Sequence, residues 1–251
     1  SGLDRSQIQQ DSVIGVFVGI EANDYKDVLR GSPAGTGVYA ATGHSLAVAS
    51  GRISFALGLQ GPCGTYATAC SAALVAHHSA MSALQLSECQ TAVVPGVNVM
   101  LTPGYSVSFA IAGMTSPRGR CHTFDQGADG YVRSEACVAA SLRTEMTTEI
   151  LALGSAVRQD GRSASLTAPN GGAQQLLLAA SLARSEATPA MLTNAEAHGT
   201  GTALGDPIET SSLAAAVLRP KGESDPLLVL GSGKANAGHA ETAAGMTGLM
   251  K

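Results

Sequence analysis

The chain of 251 residues has a net charge of −4, and only 14% of its residues are charged whereas 45% are hydrophobic. This length suffices for one large domain with a substantial core, and the low charge predicts that a partner covers part of the surface. No basic stripe is present, which excludes nucleic acid as an expected partner. The longest apolar runs, such as residues 176–180, are far too short to span a bilayer.

Predicted strands and helices alternate in the first part of the chain. We predict strands at 13–20, 65–69, 91–100 and 135–142, and helices at 44–57 and 71–85. The strand predictions rest on runs of β-branched and apolar residues that end at turn residues, and the helix predictions on apolar residues at helical spacing.

A polar stretch, 143–149, separates this part from a second one. There we predict strands at 150–158, 191–197 and 227–231, and helices at 172–184, 206–218 and 239–251. Such alternation predicts an α/β fold with helices covering mixed or parallel sheets. Each part has a strand, then a reactive side chain, then an Ala-rich helix, which indicates a faint internal repeat. We therefore predict an N-terminal half, 1–142, and a C-terminal half, 150–251.

Cys70 is the first candidate for chemistry, because it follows a predicted strand and opens a predicted helix. The positive end of the helix dipole and the N–H groups of the first turn favour the nucleophilic thiolate. The alternative is a buried thiol that serves only as a small apolar side chain. The other cysteines, Cys63, Cys89, Cys121 and Cys137, lack this setting and are interpreted as structural. With five cysteines and no CxxC pair, the chain predicts a reducing compartment rather than a disulfide framework.

Two histidines stand where a ring can face a cleft. His198 ends a predicted strand just before a glycine-rich loop, and His239 follows Gly238 at the start of a predicted helix. The dipole of that helix would disfavour a protonated ring at His239. A neutral imidazole can donate a hydrogen bond to a developing oxyanion. A purely structural histidine is the alternative at either position.

Lys234 and Glu241 flank His239, and they either orient the site by hydrogen bonding or form a solvated surface pair. The loop that runs from Gly199 to Asp206 is glycine-rich but lacks the Lys-Ser/Thr ending of a phosphate-binding loop. No cluster of cysteines and histidines has the spacing of metal ligands. The sequence therefore predicts neither a nucleotide site nor a metal site.

Seven segments resemble the β-ketoacyl synthase family, most closely the ketosynthase domains of modular polyketide synthases. They are residues 15–19 (GVFVG), 67–74 (ATACSAAL), 123–133 (TFDQGADGYVR), 159–162 (QDGR), 166–170 (LTAPN), 196–209 (EAHGTGTALGDPIE) and 231–245 (GSGKANAGHAETAAG). One segment alone is a hint, whereas seven in family order over nearly the whole chain are highly specific.

The resemblance implies a thiolase-like α/β fold, with two duplicated βαβαβ-type halves in five layers, that works as a homodimer. By motif it assigns eight positions to the active site: catalytic Cys70, His198 and His239, supporting Lys234, Glu241 and Asp206, and pantetheine-binding Thr200 and Thr202. We also expect a piece truncated at both ends, with the family's closing segment and a second oxyanion donor beyond Lys251.

The resemblance implies a decarboxylative Claisen condensation between an acyl group on Cys70 and a malonyl-type extender. The implied partners are an acyl carrier protein, its phosphopantetheine-bound acyl and malonyl-type thioesters, and neighbouring synthase domains. No metal or other directly bound cofactor is expected. The implied location is the cytoplasm, with a plastid as the alternative. A fatty-acid β-ketoacyl synthase and a non-catalytic or transfer-only ketosynthase-like protein remain alternative functions.

Overall fold

The computed structural model describes residues 13–21, 23–144, 150–219, 222 and 224–251. The chain forms two compact units. The first consists of Ser1–Ser108, Arg133–Thr147 and Ala240–Met250, and the second of Phe109–Val132, Thr148–His239 and Lys251. Each unit thus takes residues from both sides of the polar stretch 143–149, most of which lies outside the described residues. The division into halves at 1–142 and 150–251 therefore stays a prediction.

Helices and strands alternate along the chain, as predicted for an α/β fold. The strands are β1 Ile14–Gly19, β2 Cys63–Tyr66, β3 Thr91–Asn98, β4 Ala136–Arg143, β5 Asn194–Glu196 and β6 Val229–Gly231. The α-helices are α1 Asp24–Arg30, α2 Ala40–Gly43, α3 Ala49–Leu57, α4 Ala72–Gln85, α5 Gly104–Ile111, α6 Gly171–Ser185, α7 Gly205–Leu213, α8 Lys234–Ala237 and α9 Ala244–Leu249. The helices predicted at 44–57, 71–85, 172–184 and 206–218 correspond to α3, α4, α6 and α7. Within the described residues, no helix combines the length and the apolar character that crossing a membrane requires.

The first unit is built on a four-stranded sheet in the order β2-β1-β3-β4. β1 is parallel to β2 and β3, whereas β4 is antiparallel to β3, so the sheet is mixed. Every residue of β1 is buried, as a continuous apolar run predicts for a central strand. The strands predicted at 13–20, 91–100 and 135–142 are confirmed, with ends shifted by one or two residues. The strand predicted at 65–69 lies slightly earlier, at Cys63–Tyr66.

Helix α4 packs on this sheet through small side chains. Ala73 and Ala76 are fully buried in a core that also contains Val94 of β3. Two glycines of the sheet permit the close approach. A Cβ added at Gly19 would lie 2.5 Å from backbone atoms of Ala73, and one added at Gly96 would lie 2.8 Å from the Ala73 Cβ. The start of α4 is therefore held against the sheet by close apolar packing.

In the second unit, β5 and β6 pair in parallel. The strands predicted at 191–197 and 227–231 are thus confirmed, although each spans only three residues. Helix α6 begins after Asn170, whose Oδ1 accepts the N–H groups of Gly172 and Ala173 as an N-terminal cap. These elements frame the loop between β5 and α7, which carries the predicted histidine motif.

The strand predicted at 150–158 is wrong, because this segment is irregular in the structure. It packs against the end of α6 instead. A Cβ added at Gly154 would lie 2.6 Å from the backbone nitrogen of Ser185, and the Arg184 side chain donates to the Ser155 carbonyl at 3.2 Å. A strand needs a neighbouring strand to bond its backbone groups, so an apolar composition alone does not produce one.

Candidate active site

Cys70 lies in a tight turn between β2 and α4. A 3-10 turn, Ala69–Ser71, leads directly into the helix that starts at Ala72. Ala69 has a φ of +50°, which is unusual for a residue with a side chain, so the chain turns sharply just before the thiol. The half-buried Cys70 therefore stands at the N-terminal end of a helix, as predicted, where the dipole favours the thiolate.

The other four cysteines occur in different settings. Cys63 and Cys137 are exposed, whereas Cys89 and Cys121 are buried. No disulfide joins any of the five cysteines, all of which lie among the described residues. Burial raises the pKa of the Cys121 thiol, and a thiol that is harder to ionise is a weaker nucleophile. The interpretation of these four cysteines as structural stays a prediction.

His198 opens a loop whose backbone is held by Glu209. The Glu209 carboxylate accepts hydrogen bonds from the backbone N–H groups of His198, at 2.6 Å, and Gly199, at 2.8 Å. Glycine is needed at position 199, because its φ is +45° and an added Cβ would lie 2.7 Å from the Ser232 Cβ. The loop therefore leaves β5 along a path that fixes the backbone of His198.

Asp206 holds the middle of the same loop. Its buried carboxylate accepts three backbone hydrogen bonds, from Phe124 at 2.9 Å, Gly201 at 3.1 Å and Thr202 at 3.2 Å. A buried carboxylate needs such partners, because leaving it unpaired would cost several kcal/mol. Asp206 thus ties the loop to the segment that contains Phe124.

Thr200 and Thr202, the predicted pantetheine-binding residues, lie close together in this loop. Their hydroxyl oxygens are 3.4 Å apart, and the Thr202 hydroxyl also accepts the N–H of Gly205 at 3.2 Å. A cavity of about 410 Å³ borders Thr202 and Asp206. Of the two threonines, Thr202 borders this volume, whereas Thr200 is buried. The pantetheine role of both residues stays a prediction.

His239 lies beside His198 in the second unit. The centroids of the two imidazole rings are 5.5 Å apart, with the ring planes at 90°. The ring of Tyr131 meets His239 edge-on, with a centroid distance of 4.9 Å. The backbone N–H of His239 donates to the Val132 carbonyl at 2.7 Å. The structure thus brings together the two histidines that the sequence singled out.

The prediction that His239 starts a helix is wrong. The residue is buried and follows Gly238, and the chain turns only at Glu241–Ala243 before entering α9 at Ala244. Gly238 has a φ of +79°, which redirects the chain at the end of α8. Because a helix dipole acts mainly within the first turn, the predicted dipole effect does not apply at this position.

The surroundings of His198 keep its ring neutral. Desolvation and the positive charge of Lys234 lower the pKa of His198 to about 4, against an opposing effect of Asp206. The residue as a whole is exposed, so a substrate can reach the ring although neighbouring groups desolvate it. A neutral imidazole carries one N–H, which it can donate to a bound oxygen.

Lys234 and Glu241, the predicted supporting pair, have different surroundings. Lys234 is buried at the start of α8 and contributes to the lowered pKa of His198. Glu241 forms a bidentate ion pair with Arg133, in which the second hydrogen bond is 3.0 Å long. A pairing between Lys234 and Glu241 stays a prediction.

Two residues of these networks were missed by the sequence reasoning. Glu209 has a local signal, since it follows Asp206 by three residues on one helix, which puts both carboxylates on the same side. Arg133 has no such signal, because its partner Glu241 is 108 positions away along the chain. The eight predicted positions divide between the units: the first contains Cys70 and Glu241, and the second contains Thr200, Thr202, Asp206, Lys234, His198 and His239.

Two family models match the chain. Residues 1–147 match the model described as the N-terminal domain of beta-ketoacyl synthase, and residues 150–251 match the model of its C-terminal domain. Together the two models account for nearly the whole sequence.

Curated relatives carry polyketide synthase names. The chain is 48% identical over 245 residues to a phenolphthiocerol/phthiocerol polyketide synthase protein of Mycobacterium tuberculosis, in a match that covers 94% of the chain and 11% of the relative. It is 45% identical over 262 residues to the spectinabilin polyketide synthase system protein NorC of Streptomyces orinoci, in a match that covers 99% of the chain and 11% of that protein. The chain therefore spans about a tenth of the length of these relatives.

Solved structures of ketosynthases resemble the chain as well. The oxazolomycin ketosynthase domain OzmH KS7 of Streptomyces albus JA3453 matches with a TM-score of 0.89 and 34% identity, over 99% of this chain and 44% of that one. The ketosynthase from module 6 of the bacillaene synthase of Bacillus subtilis 168 matches with a TM-score of 0.87 and 34% identity, over 99% and 43%. The predicted thiolase-like α/β fold is confirmed by this likeness.

Proposed function

Because the chain belongs to the beta-ketoacyl synthase family, we propose that it is a ketosynthase of a modular polyketide synthase that extends acyl chains by decarboxylative condensation. The observation that carries this proposal is the pair of histidine rings 5.5 Å apart, one of them with a pKa lowered to about 4. Two imidazole rings side by side, each with at least one N–H, provide two donors for one developing oxyanion. The names of the relatives support the polyketide product over the fatty-acid alternative.

The first step of the proposed reaction is the loading of Cys70. Its thiolate attacks the thioester carbonyl of an acyl group on the carrier protein, forming a new sulfur–carbon bond. The bond to the phosphopantetheine sulfur breaks, and the carrier thiol leaves with a proton from solvent. The helix that follows Cys70 favours the thiolate required for this attack.

The second step is the decarboxylation of the malonyl-type extender. The N–H groups of His198 and His239 donate to its thioester oxygen as carbon dioxide leaves and the electron pair moves into an enolate. One such donor is typically worth about 3–4 kcal/mol of transition-state stabilisation. The enolate carbon then attacks the acyl-Cys70 thioester, giving a β-ketoacyl product on the carrier protein and regenerating the Cys70 thiolate.

The substrates of this reaction reach the site on an acyl carrier protein. We propose that Thr200 and Thr202 bind the phosphopantetheine arm beside the cavity that borders Thr202. Acyl and malonyl-type thioesters, the carrier protein and neighbouring synthase domains are then the partners, and the enzyme works as a homodimer in the cytoplasm. The chemistry needs no directly bound cofactor, because the electrons for the new carbon–carbon bond come from the lost carboxylate. Lys234, Glu241 and Asp206 support the site.

The test uses the intact polypeptide that carries this sequence. It is incubated with an acyl group on a carrier protein, and the peptide that contains Cys70 is analysed by mass spectrometry. We expect an acyl adduct on Cys70, then a β-ketoacyl product once a malonyl-type carrier is added. The Cys70→Ala variant should lose the adduct completely, while Cys89→Ala, a change at a buried cysteine, should retain it. A polypeptide that never forms the adduct, or a Cys70→Ala variant that still extends the chain, would sink the proposal.

A further inference from the structure

Two neighbouring residues, Val132 and Arg133, form hydrogen bonds with the segment that follows Gly238. The His239 N–H donates to the Val132 carbonyl at 2.7 Å, and the Tyr131 ring meets the His239 ring edge-on. The next residue after Val132 is Arg133, whose guanidinium donates to both carboxylate oxygens of Glu241. The segment that carries His239 is thus held by one backbone bond and one ion pair, two residues apart.

The ion pair of Arg133 and Glu241 is buried. The Arg133 side chain is 5% exposed and that of Glu241 14%, and Arg133 also donates to the Ser106 hydroxyl at 2.6 Å. A bidentate arginine–carboxylate pair fixes the orientation of both groups, and burial protects it from screening by salt. By contrast, Arg118 and Asp129 form an ion pair whose side chains are 50% and 28% exposed.

The backbone around His239 follows an unusual path. Gly238, which precedes it, has a φ of +79°, and Glu241, two residues after it, has a φ of +43°. A left-handed conformation is natural for glycine but rare for glutamate, and it persists only where the surroundings impose it. The bidentate contact with Arg133 is such a constraint on Glu241. Without it, residues 239–241 could relax toward an ordinary backbone conformation.

We propose that Arg133 is a positioning residue for the condensation, which fixes the imidazole of His239 by holding Glu241 in its left-handed conformation. The inference rests on the proposed function, since it takes His239 as a donor to the enolate. Arg133 touches no substrate in this role. Its effect is geometric, because donors to a developing charge must lie within hydrogen-bond distance of the position that the oxyanion reaches.

The test measures two reactions in the intact polypeptide: acyl loading of Cys70, and release of carbon dioxide from a malonyl-type carrier protein. A displacement of about 1 Å can cost roughly 10²-fold in rate, so Arg133→Met should slow decarboxylation by about 10- to 100-fold. Loading should be unchanged, because it does not use His239. Arg133→Lys keeps the charge and should recover part of the decarboxylation rate, which a role in packing alone would not predict.

A matched control and a double variant separate positioning from folding. Arg118→Met removes an arginine from the more exposed ion pair with Asp129 and should leave both rates unchanged. Arg133→Met alone leaves the Glu241 carboxylate buried without its partner, which can unfold the protein. The double variant Arg133→Met with Glu241→Gln removes that charge, so it should load normally and still decarboxylate slowly.

Each outcome decides the assignment. Full decarboxylation by Arg133→Met or by the double variant overturns it, as does an equal loss of loading and decarboxylation in the double variant. A wild-type polypeptide that loads but never decarboxylates overturns the proposed function together with the role of Arg133. If the wild type and Arg133→Met decarboxylate equally fast, the role of Arg133 is overturned and the proposed function stands.

Discussion

The turn that carries Cys70 and the loop that carries His198 are positioned by different kinds of force. Cys70 precedes a helix of small residues that lies close to the sheet because Gly19 and Gly96 leave room for it. His198 opens a loop that two carboxylates, Asp206 and Glu209, hold through backbone hydrogen bonds. The first arrangement depends on steric fit, and the second on backbone hydrogen bonds to two carboxylates, of which that of Asp206 is buried. Different substitutions should therefore disrupt the local structure of the two regions.

The largest effect is expected on the rate of decarboxylation, because this step uses His198 whereas acyl loading uses Cys70. In the intact polypeptide, His198→Ala should leave acyl loading of Cys70 nearly unchanged but slow decarboxylation of a malonyl-type carrier by about 10²–10³-fold, since one oxyanion donor is lost. The two reactions are followed by the mass of the Cys70 peptide and by released carbon dioxide. His44→Ala, at a histidine outside both regions, is the control. Normal extension by His198→Ala would show that the role assigned to His198 is wrong.

The next effect tests the steric fit around Cys70. Gly19→Ala puts a Cβ within 2.5 Å of the Ala73 backbone and should destabilise the first unit by about 1–3 kcal/mol. Gly51→Ala is the matched control, because a Cβ at that helical glycine meets nothing within 4 Å and should stabilise by about 0.4–1 kcal/mol. Hydrogen exchange of β1 and α4 measures both changes. Equal exchange in the two variants would refute the account of close packing.

A more local effect tests the polar support of the histidine loop. Asp206→Ala leaves three backbone N–H groups without their acceptor and should cost about 1–3 kcal/mol, expressed as faster hydrogen exchange at Phe124, Gly201 and Thr202. Asp225→Ala removes a comparable but exposed carboxylate that accepts the Gly222 N–H, and should change stability by less than about 0.5 kcal/mol. Unchanged protection of the loop in Asp206→Ala would contradict the proposed support.

The effect that is smallest at neutral pH concerns the protonation of His198. The pKa of His198 is lowered from 6.5 to about 4, so between these values the unfolded chain binds a proton at this position that the folded chain does not. Stability should therefore rise with pH across this window, and His198→Gln should flatten the rise. Thermal unfolding of both proteins between pH 4 and 7 measures the difference. Identical pH profiles would argue against a lowered pKa of His198.

Much of the local structure was predictable because its signal is local. The buried run of β1, the Ala-rich helix α4 and the capped helix α6 each follow from side-chain spacing within a few turns. The prediction of a strand at 150–158 was wrong because it, too, used only a local signal. Its composition is typical of a strand, but the neighbour that would bond it is a long-range property, and the segment meets the end of α6 instead.

By itself the sequence determined which residues are candidates for chemistry, since Cys70, His198 and His239 lie in motifs whose order and residue types are specific. Only the tertiary structure decided how the histidines are arranged: the 5.5 Å between their rings, the neutral state of His198 and the pairing of Glu241 with Arg133. The physical reason is distance along the chain. Spacing encodes the period of a helix or strand, whereas desolvation and ion pairing depend on residues that only folding brings together.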